Sequence, residues 1–396
     1  MTTLLQAAYP FVSVTIDTSG LLVPAQRSPG VVAVVGLADD AASTPANTPA
    51  VVTDHDSVMK SFAKGNTANT LTNSLDLVLQ QDPQPSKIYG VRTDAGKDYA
   101  AALSGLEAAD DVTFVSLALE TDIGAAAAGG NPPTNLMALA AHVKNMSDAG
   151  NKQMAVAMID PATAKSPTYV ADALTKFAGL KSGDGRFILI AARGATRDPN
   201  NASATADAAS AAMGAIAGFQ PAVSAVLKQV RGFTMPVTSQ YAPTEVTGLS
   251  EQGIIPLIDP ALIPGTGLYF ADGGTWSSDA TRNYIDIVRV LDDVEFRLRA
   301  GLIGSIGDSR ITKAGLTQVL VRTEGILGPL QQAAEIDDFI VSIPLLDILA
   351  IPESARTPAD DNQVTTARGT RRVNMLVTIV LGPQIHQLDI TLAPTF

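Results

Sequence analysis

The chain has 396 residues, enough for about two or three folded units. Hydrophobic residues make up 46% and charged residues 17%, which excludes disorder as the general state and leaves much of the surface uncharged, as suits a subunit buried among neighbours. A formal charge of −12 disfavours nucleic acid and anionic membranes as direct partners, and the absence of cysteine excludes disulfides, thiolate metal sites and cysteine nucleophiles.

Near the start, Val12, Val14 and Ile16 alternate with Ser13, Thr15 and Asp17, the pattern of a half-buried strand with no local hairpin partner. The opening MTTLLQAAYP lacks a basic region followed by a long apolar run, and nowhere do about eighteen apolar residues follow one another, so neither a signal peptide nor a membrane span is expected. From residue 31 to 220 short apolar blocks alternate with longer helical stretches, the signature of a parallel sheet with crossover helices. The strands expected are Val31–Leu37, Lys87–Val91, Val112–Leu119, Gln153–Ile159 and Phe187–Ala191. The helices expected are Leu71–Gln80, Ala95–Ala109, Asn135–Ala149, Tyr169–Gly179 and Ala202–Gly218.

Beyond about residue 221 the βα rhythm stops, and a mixed α+β segment runs to the end, with a domain boundary expected between 220 and 250. Arg282–Ile303 reads as a helix with Tyr284, Val288, Leu291, Val294, Leu298 and Leu302 on one stripe. A second helix is expected from Thr312 to about Gln332, with an interruption possible at Gly325 or Gly328–Pro329. Asp338–Ile343 and Val373–Leu381 read as strands, and Ala125–Gly130 and Ala359–Arg368 as loops. In the last segment, Leu388, Ile390 and Leu392 alternate with polar residues across Ile385–Leu392. Both ends of the chain therefore read as strands able to pair at home or on a neighbour's open sheet edge.

Catalytic signatures are sparse. His55, His142 and His386 have none of the short spacings of a helical metal site, no G-x-S-x-G places a serine on a nucleophile elbow, and neither G-x-G-x-x-G nor a P-loop occurs. The acid pairs Asp39/Asp40, Asp110/Asp111, Asp292/Asp293, Asp337/Asp338 and Asp360/Asp361 read as solvated turns and helix ends, because adjacent side chains diverge. No cofactor or metal is expected. Residues 281–396 hold ten Arg and one Lys, and Arg favours multidentate interface contacts.

Four stretches in order resemble the tail sheath family of contractile injection machines, such as myophage tails and R-type bacteriocins. They are Tyr9-Pro10 with SPGVVAVVGLADDA (Ser28–Ala41) and TPAVVTDHDSVMKSF (Thr48–Phe62); GFQPAVSAVLKQVRG (Gly218–Gly232) with LSEQGIIPLID (Leu249–Asp259); GTGLYFADGGTWSSDATRNYIDIVRVLDDVEFRLRAGL (Gly265–Leu302); and GTRRVNMLVTIVLGPQIHQLDITLAPTF (Gly369–Phe396). The opening Tyr9-Pro10-Phe11-Val12 departs from the family's common Tyr-Pro-Gly-Val.

The resemblance implies a doubly wound α/β domain (30–220) that faces outward and is inserted into an α+β sheath core built from 1–29 and 221–396. It implies a structural subunit, not an enzyme, that stacks as hexameric rings around an inner tail tube and meets baseplate and tail terminator proteins. Strand arms at Phe11, Val12, Val14 and Ile16, and at Leu388, Ile390 and Leu392, would join neighbouring copies. Thr312, Lys313, Gln318 and Arg322 would lie on a tube-facing helix. The place implied is a virion tail or an injection particle assembled in the cytoplasm. Two other readings stay open on the sequence: a nucleotide- or small-molecule-binding α/β enzyme with its crevice near Gly36, Asp160 or Arg193, and a shell protein that assembles without contracting.

Overall fold

The computed structural model describes residues 28–386 apart from 29, 39–41, 66, 199–203 and 266. In chain order its elements are β1 (Val31–Gly36), β2 (Pro49–Val52), α1 (His55–Phe62), α2 (Thr70–Leu79), β3 (Lys87–Arg92), α3 (Tyr99–Leu106), β4 (Phe114–Leu117), α4 (Asn135–Asp148), β5 (Met154–Met158), α5 (Tyr169–Phe177), β6 (Phe187–Ala191) and α6 (Ala208–Gly218). There follow β7 (Gln229–Val230), α7 (Pro243–Ser250), β8 (Ile254–Ile258), β9 (Leu268–Phe270), α8 (Ile285–Leu302), α9 (Lys313–Gln332), β10 (Asp338–Ser342), α10 (Pro344–Ala350), α11 (Pro358–Thr370) and β11 (Leu376–Val380).

The five apolar blocks expected as strands are β1, β3, β4, β5 and β6. They pair in parallel in the order β3-β1-β4-β5-β6 within one nine-stranded sheet. Every residue of β1, β4, β5 and β6 is buried, because crossover helices must cover both faces of such a sheet. Alanine-rich α6 packs on α2 and against β4 and β5, its small side chains permitting the close approach. At Gly36 the fit is tight, since a Cβ there would stand 2.4 Å from the Ala118 Cβ.

The sheet does not end where the βα rhythm does. β8 continues it in parallel beside β6, and β9 and β7 close that edge antiparallel. Strands of two and three residues leave no periodic signal, which is why the texture change near residue 220 reads as a boundary. The opposite edge is the antiparallel β2.

Among the described residues the chain divides into two compact units: residues 28–296 with Leu327–Ser342 and 375–386, and Arg297–Ile326 with Ile343–Asn374. The first contains the nine-stranded sheet and a separate antiparallel ribbon of β10 and β11. The second buries Leu316, Ile326, Leu345, Leu349 and Val364.

Two expectations are corrected here. Ala359–Arg368 is not a loop but the body of α11, which starts with Pro358 in its first turn and a reciprocal cap between Thr357 and Asp360, and stops at Arg371 in the left-handed region at φ 54°. Asp292/Asp293 do not mark a helix end: they lie inside α8, where Asp292 grips the buried Arg186 through two 2.7 Å hydrogen bonds. α9 runs unbroken through Gly325, Gly328 and Pro329, held by buried Leu316, Ile326, Leu327 and Leu330. Among the described residues no helix is long and apolar enough to cross a membrane.

Candidate functional site

The α/β crevice offers little free chemistry at the three positions that would serve a ligand. Gly36 is spent on close packing. The Asp160 carboxylate accepts its neighbour Ala162 N–H at 2.9 Å, an ordinary turn. Arg193 donates to both carboxylate oxygens of Glu245, at 2.8 and 3.2 Å, and lies between the rings of Tyr169 and Tyr241, 4.7 and 4.5 Å from their centroids. The guanidinium holds the Glu245 carboxyl below the usual carboxylate range. All three residues serve the fold.

The histidines are dispersed. His55 meets Asp76 at 2.9 Å, which raises its pKa; His142 is buried in α4; His386 follows β11. Among the described residues no three His, Asp or Glu side chains gather as a metal site.

Incomplete surfaces stand out instead, and the first is the ribbon. β10 and β11 pair Asp338 with Val380 through Ser342 with Leu376, five residues a side. Alternation puts Phe339, Val341, Val377 and Ile379 on one half-buried face. The other face carries Ile340, Leu376 and Val380, which are 60%, 63% and 43% exposed. Two strands alone are marginal in water, and this ribbon shows apolar surface and two outer edges that carry no further strand among the described residues.

The second surface is the outer face of α9. At 100° per residue, Ala314, Gln318, Val321, Arg322, Gly325, Gly328 and Gln332 fall on one side. All are exposed except Gly328, which is intermediate, and Val321 is 58% exposed. A Cβ built at Gly325 or Gly328 would meet nothing within 4 Å. Each glycine costs a helix interior about 1 kcal/mol relative to alanine, and no contact among the described residues requires either. Pro329 adds to the cost, since it cannot donate to the Gly325 carbonyl.

The structure gathers only part of the expected helix site. Gln318 and Arg322 lie one turn apart on this face, and Arg322 also reaches Ser305 Oγ at 3.3 Å. Thr312 is the residue before the helix, its hydroxyl accepting the Gly315 N–H at 3.2 Å, and Lys313 points about 140° away from Gln318. Phe11, Val12, Val14, Ile16, Leu388, Ile390 and Leu392 lie outside the described residues. Ile385 and His386, expected to open the last strand, are described and are not in a strand.

Sequence reasoning did not single out Ile340, Leu376 and Val380, and it named Gly325 and Gly328 only as a possible interruption of the helix. The available signal was apolar residues at alternate positions of both ribbon strands, together with glycines inside a helix where nothing among the described residues needs them.

No family model matches the chain, and no curated protein matches it by sequence. Solved structures do match its fold. The contracted sheath of an extracellular contractile injection system, PVC, superposes with a TM-score of 0.68 at 12% identity, covering 98% of this chain and 97% of the other. The contracted helical sheath of the anti-feeding prophage gives 0.64 at 13% identity, covering 97% and 98%. A sheath tail protein from Desulfitobacterium hafniense gives 0.57 at 10% identity, covering 84% and 93%. This chain has the fold of contractile sheath proteins.

Proposed function

We propose that the chain is the structural subunit of a contractile sheath, which polymerises around an inner tube and shortens to drive that tube through a cell envelope. The observation that carries this reading is the correspondence of nearly the whole chain with sheaths solved in the contracted state. The unfinished ribbon agrees with it. An N-terminal strand through Phe11, Val12, Val14 and Ile16 and a C-terminal strand through Leu388, Ile390 and Leu392, each from a neighbouring copy, would satisfy the outer edges of β10 and β11 by main-chain pairing and cover Ile340, Leu376 and Val380.

Subunits stack as hexameric rings, with the strands and crossover helices of 30–220 facing outward. The outer face of α9, with Gln318 and Arg322, lies toward the tube, where two bare glycines allow close approach and few apolar groups resist separation. Baseplate and tail terminator proteins bound the two ends, and the particle is a virion tail or an injection device assembled in the cytoplasm. Contraction exchanges one packing of the same subunits for another of lower free energy and uses no nucleotide.

Negative-stain electron microscopy of the concentrated chain tests this directly: hollow, helically striated tubes are expected, and a uniform small particle at every concentration refutes the reading. Deleting residues 1–20 or 387–396 should leave a folded subunit that forms no tubes. Normal tubes from either deletion would refute exchange through that arm.

A further inference from the structure

The residues after β11 are tied back onto the unit that holds the nine-stranded sheet. Gln384 uses both ends of its carboxamide: Oε1 accepts the Ser224 backbone N–H at 3.1 Å, and Nε2 donates to the Ala222 carbonyl at 2.6 Å. Two residues on, His386 Nε2 lies 2.9 Å from Ser224 Oγ, and its ring stands edge-on to Tyr284 with centroids 5.0 Å apart. Ile385 between them is 81% exposed.

Three separate parts of the chain form the notch: residues 222–224 after α6, the turn at Asp272 and Gly273 after β9, and Tyr284 to Asp286 at the start of α8. Ser224 is almost wholly buried, and Gly273 backs it so closely that a Cβ there would lie 3.3 Å from Ser224 Oγ. Asp272 and Asp286 are also part of the surroundings. Burial raises both carboxyls, and a positive charge on His386 favours their ionised forms. The carboxamide of Gln384 stands in for a peptide unit, giving and taking one hydrogen bond with backbone groups two residues apart. A glutamate there could only accept.

We propose that this notch is a recognition site for Gln384-Ile385-His386, fixing the point from which the chain continues beyond His386. The notch stands on the contacts above; its use in aiming a strand at a neighbouring copy rests on the sheath reading. A chain end rooted this way searches a smaller volume for the neighbouring edge than one released at Val380.

The test is hydrogen–deuterium exchange at the Ser224 amide in the dilute, unpolymerised full-length chain. Gln384→Ala removes the acceptor of that amide and should speed its exchange about tenfold, the equivalent of one ordinary hydrogen bond. His386→Ala should also speed it, and serves as the second probe if the first variant folds poorly. Ile385→Ser changes only an outward side chain and should leave it alone. Wild-type exchange in both Gln384→Ala and His386→Ala overturns the proposal, as does equal acceleration in Ile385→Ser. Tubes are scored separately: their absence with Ser224 protection intact refutes the sheath reading and leaves the notch standing, whereas tubes with an unprotected Ser224 do the reverse.

Discussion

Between pH 7 and pH 4, one buried imidazole should weaken this chain. His142 sits in α4 only 7% exposed, its Nε2 finds no hydrogen-bond partner among the described residues, and burial lowers its pKa from 6.5 to about 4. The Gln153 carboxamide works weakly the other way, but it makes no hydrogen bond of normal geometry with Nε2. Below pH 6.5 the unfolded chain takes up a proton that the folded chain refuses, so stability is complete above 6.5 and falls as the pH drops toward about 4, where the loss levels off. At about 1.4 kcal/mol per pKa unit the full loss is about 3 kcal/mol.

Other groups titrate in the same window with the opposite sign. The raised pKa values of His55, Asp272 and Asp286 favour the folded state in acid, so the informative quantity is the difference between wild type and His142→Leu. Leucine keeps most of the volume and removes the proton site. The gap in unfolding free energy should widen in favour of the variant by about 3 kcal/mol between pH 7 and pH 4, read by urea titration of the single buried tryptophan, Trp276, which belongs to the same unit. A gap that stays constant with pH would show that His142 accepts its proton in the fold, and would refute the reasoning.

Three further outcomes follow from the geometry. Gly325→Leu with Gly328→Leu should raise the melting temperature, because each glycine costs about 1 kcal/mol of helix propensity, yet abolish co-sedimentation with the inner tube protein; undiminished co-sedimentation would remove α9 from the tube contact. Arg289→Met should cost about 3 kcal/mol by thermal unfolding, since the buried guanidinium donates to the carbonyls of Ile216, Phe219 and Gln220 at the end of α6; a loss below about 1 kcal/mol would mean that water serves those carbonyls instead. Ile340→Thr with Leu376→Thr should leave the dilute subunit within about 0.5 kcal/mol of wild type while raising the concentration needed for tubes, and an unchanged threshold would show that the ribbon's apolar face is not an interface.

The sheet was legible because its strands are buried on both faces and so read as unbroken apolar blocks, correct to within about two residues at β1, β3, β5 and β6. α11 escaped because only Val364 along it is buried, which leaves no apolar stripe; Thr357-Pro358-Ala359-Asp360 was the readable signal, a cap with proline in the first turn. Arg289 could not be placed from its own helix, where it lies on the side opposite the stripe of Tyr284, Val288, Leu291, Val294, Leu298 and Leu302. Its partners come from α6, about seventy residues earlier, and a helix end lacking donors there is what makes a buried cation tolerable. Burial pushes that guanidinium down to about 10, against the favourable charges of Asp286 and Asp293. The candidate site was legible as strand-bearing ends and a helix, but the unfinished state of the ribbon depends on which strands fail to gain a third neighbour, and that is a property of topology.

A subunit that does work by repacking needs two kinds of surface, and the residues separate along that line. Gly36, Arg193 with Glu245, Arg186 with Asp292 and Arg289 over the end of α6 all satisfy groups inside one unit, so their loss should register as unfolding whether or not neighbours are present. Ile340, Leu376, Val380, Gly325 and Gly328 do the opposite: they expose apolar area or give up helix propensity with no return among the described residues. On the proposed sheath reading, energy released on contraction would come from this second set, because the first is already satisfied in an isolated subunit.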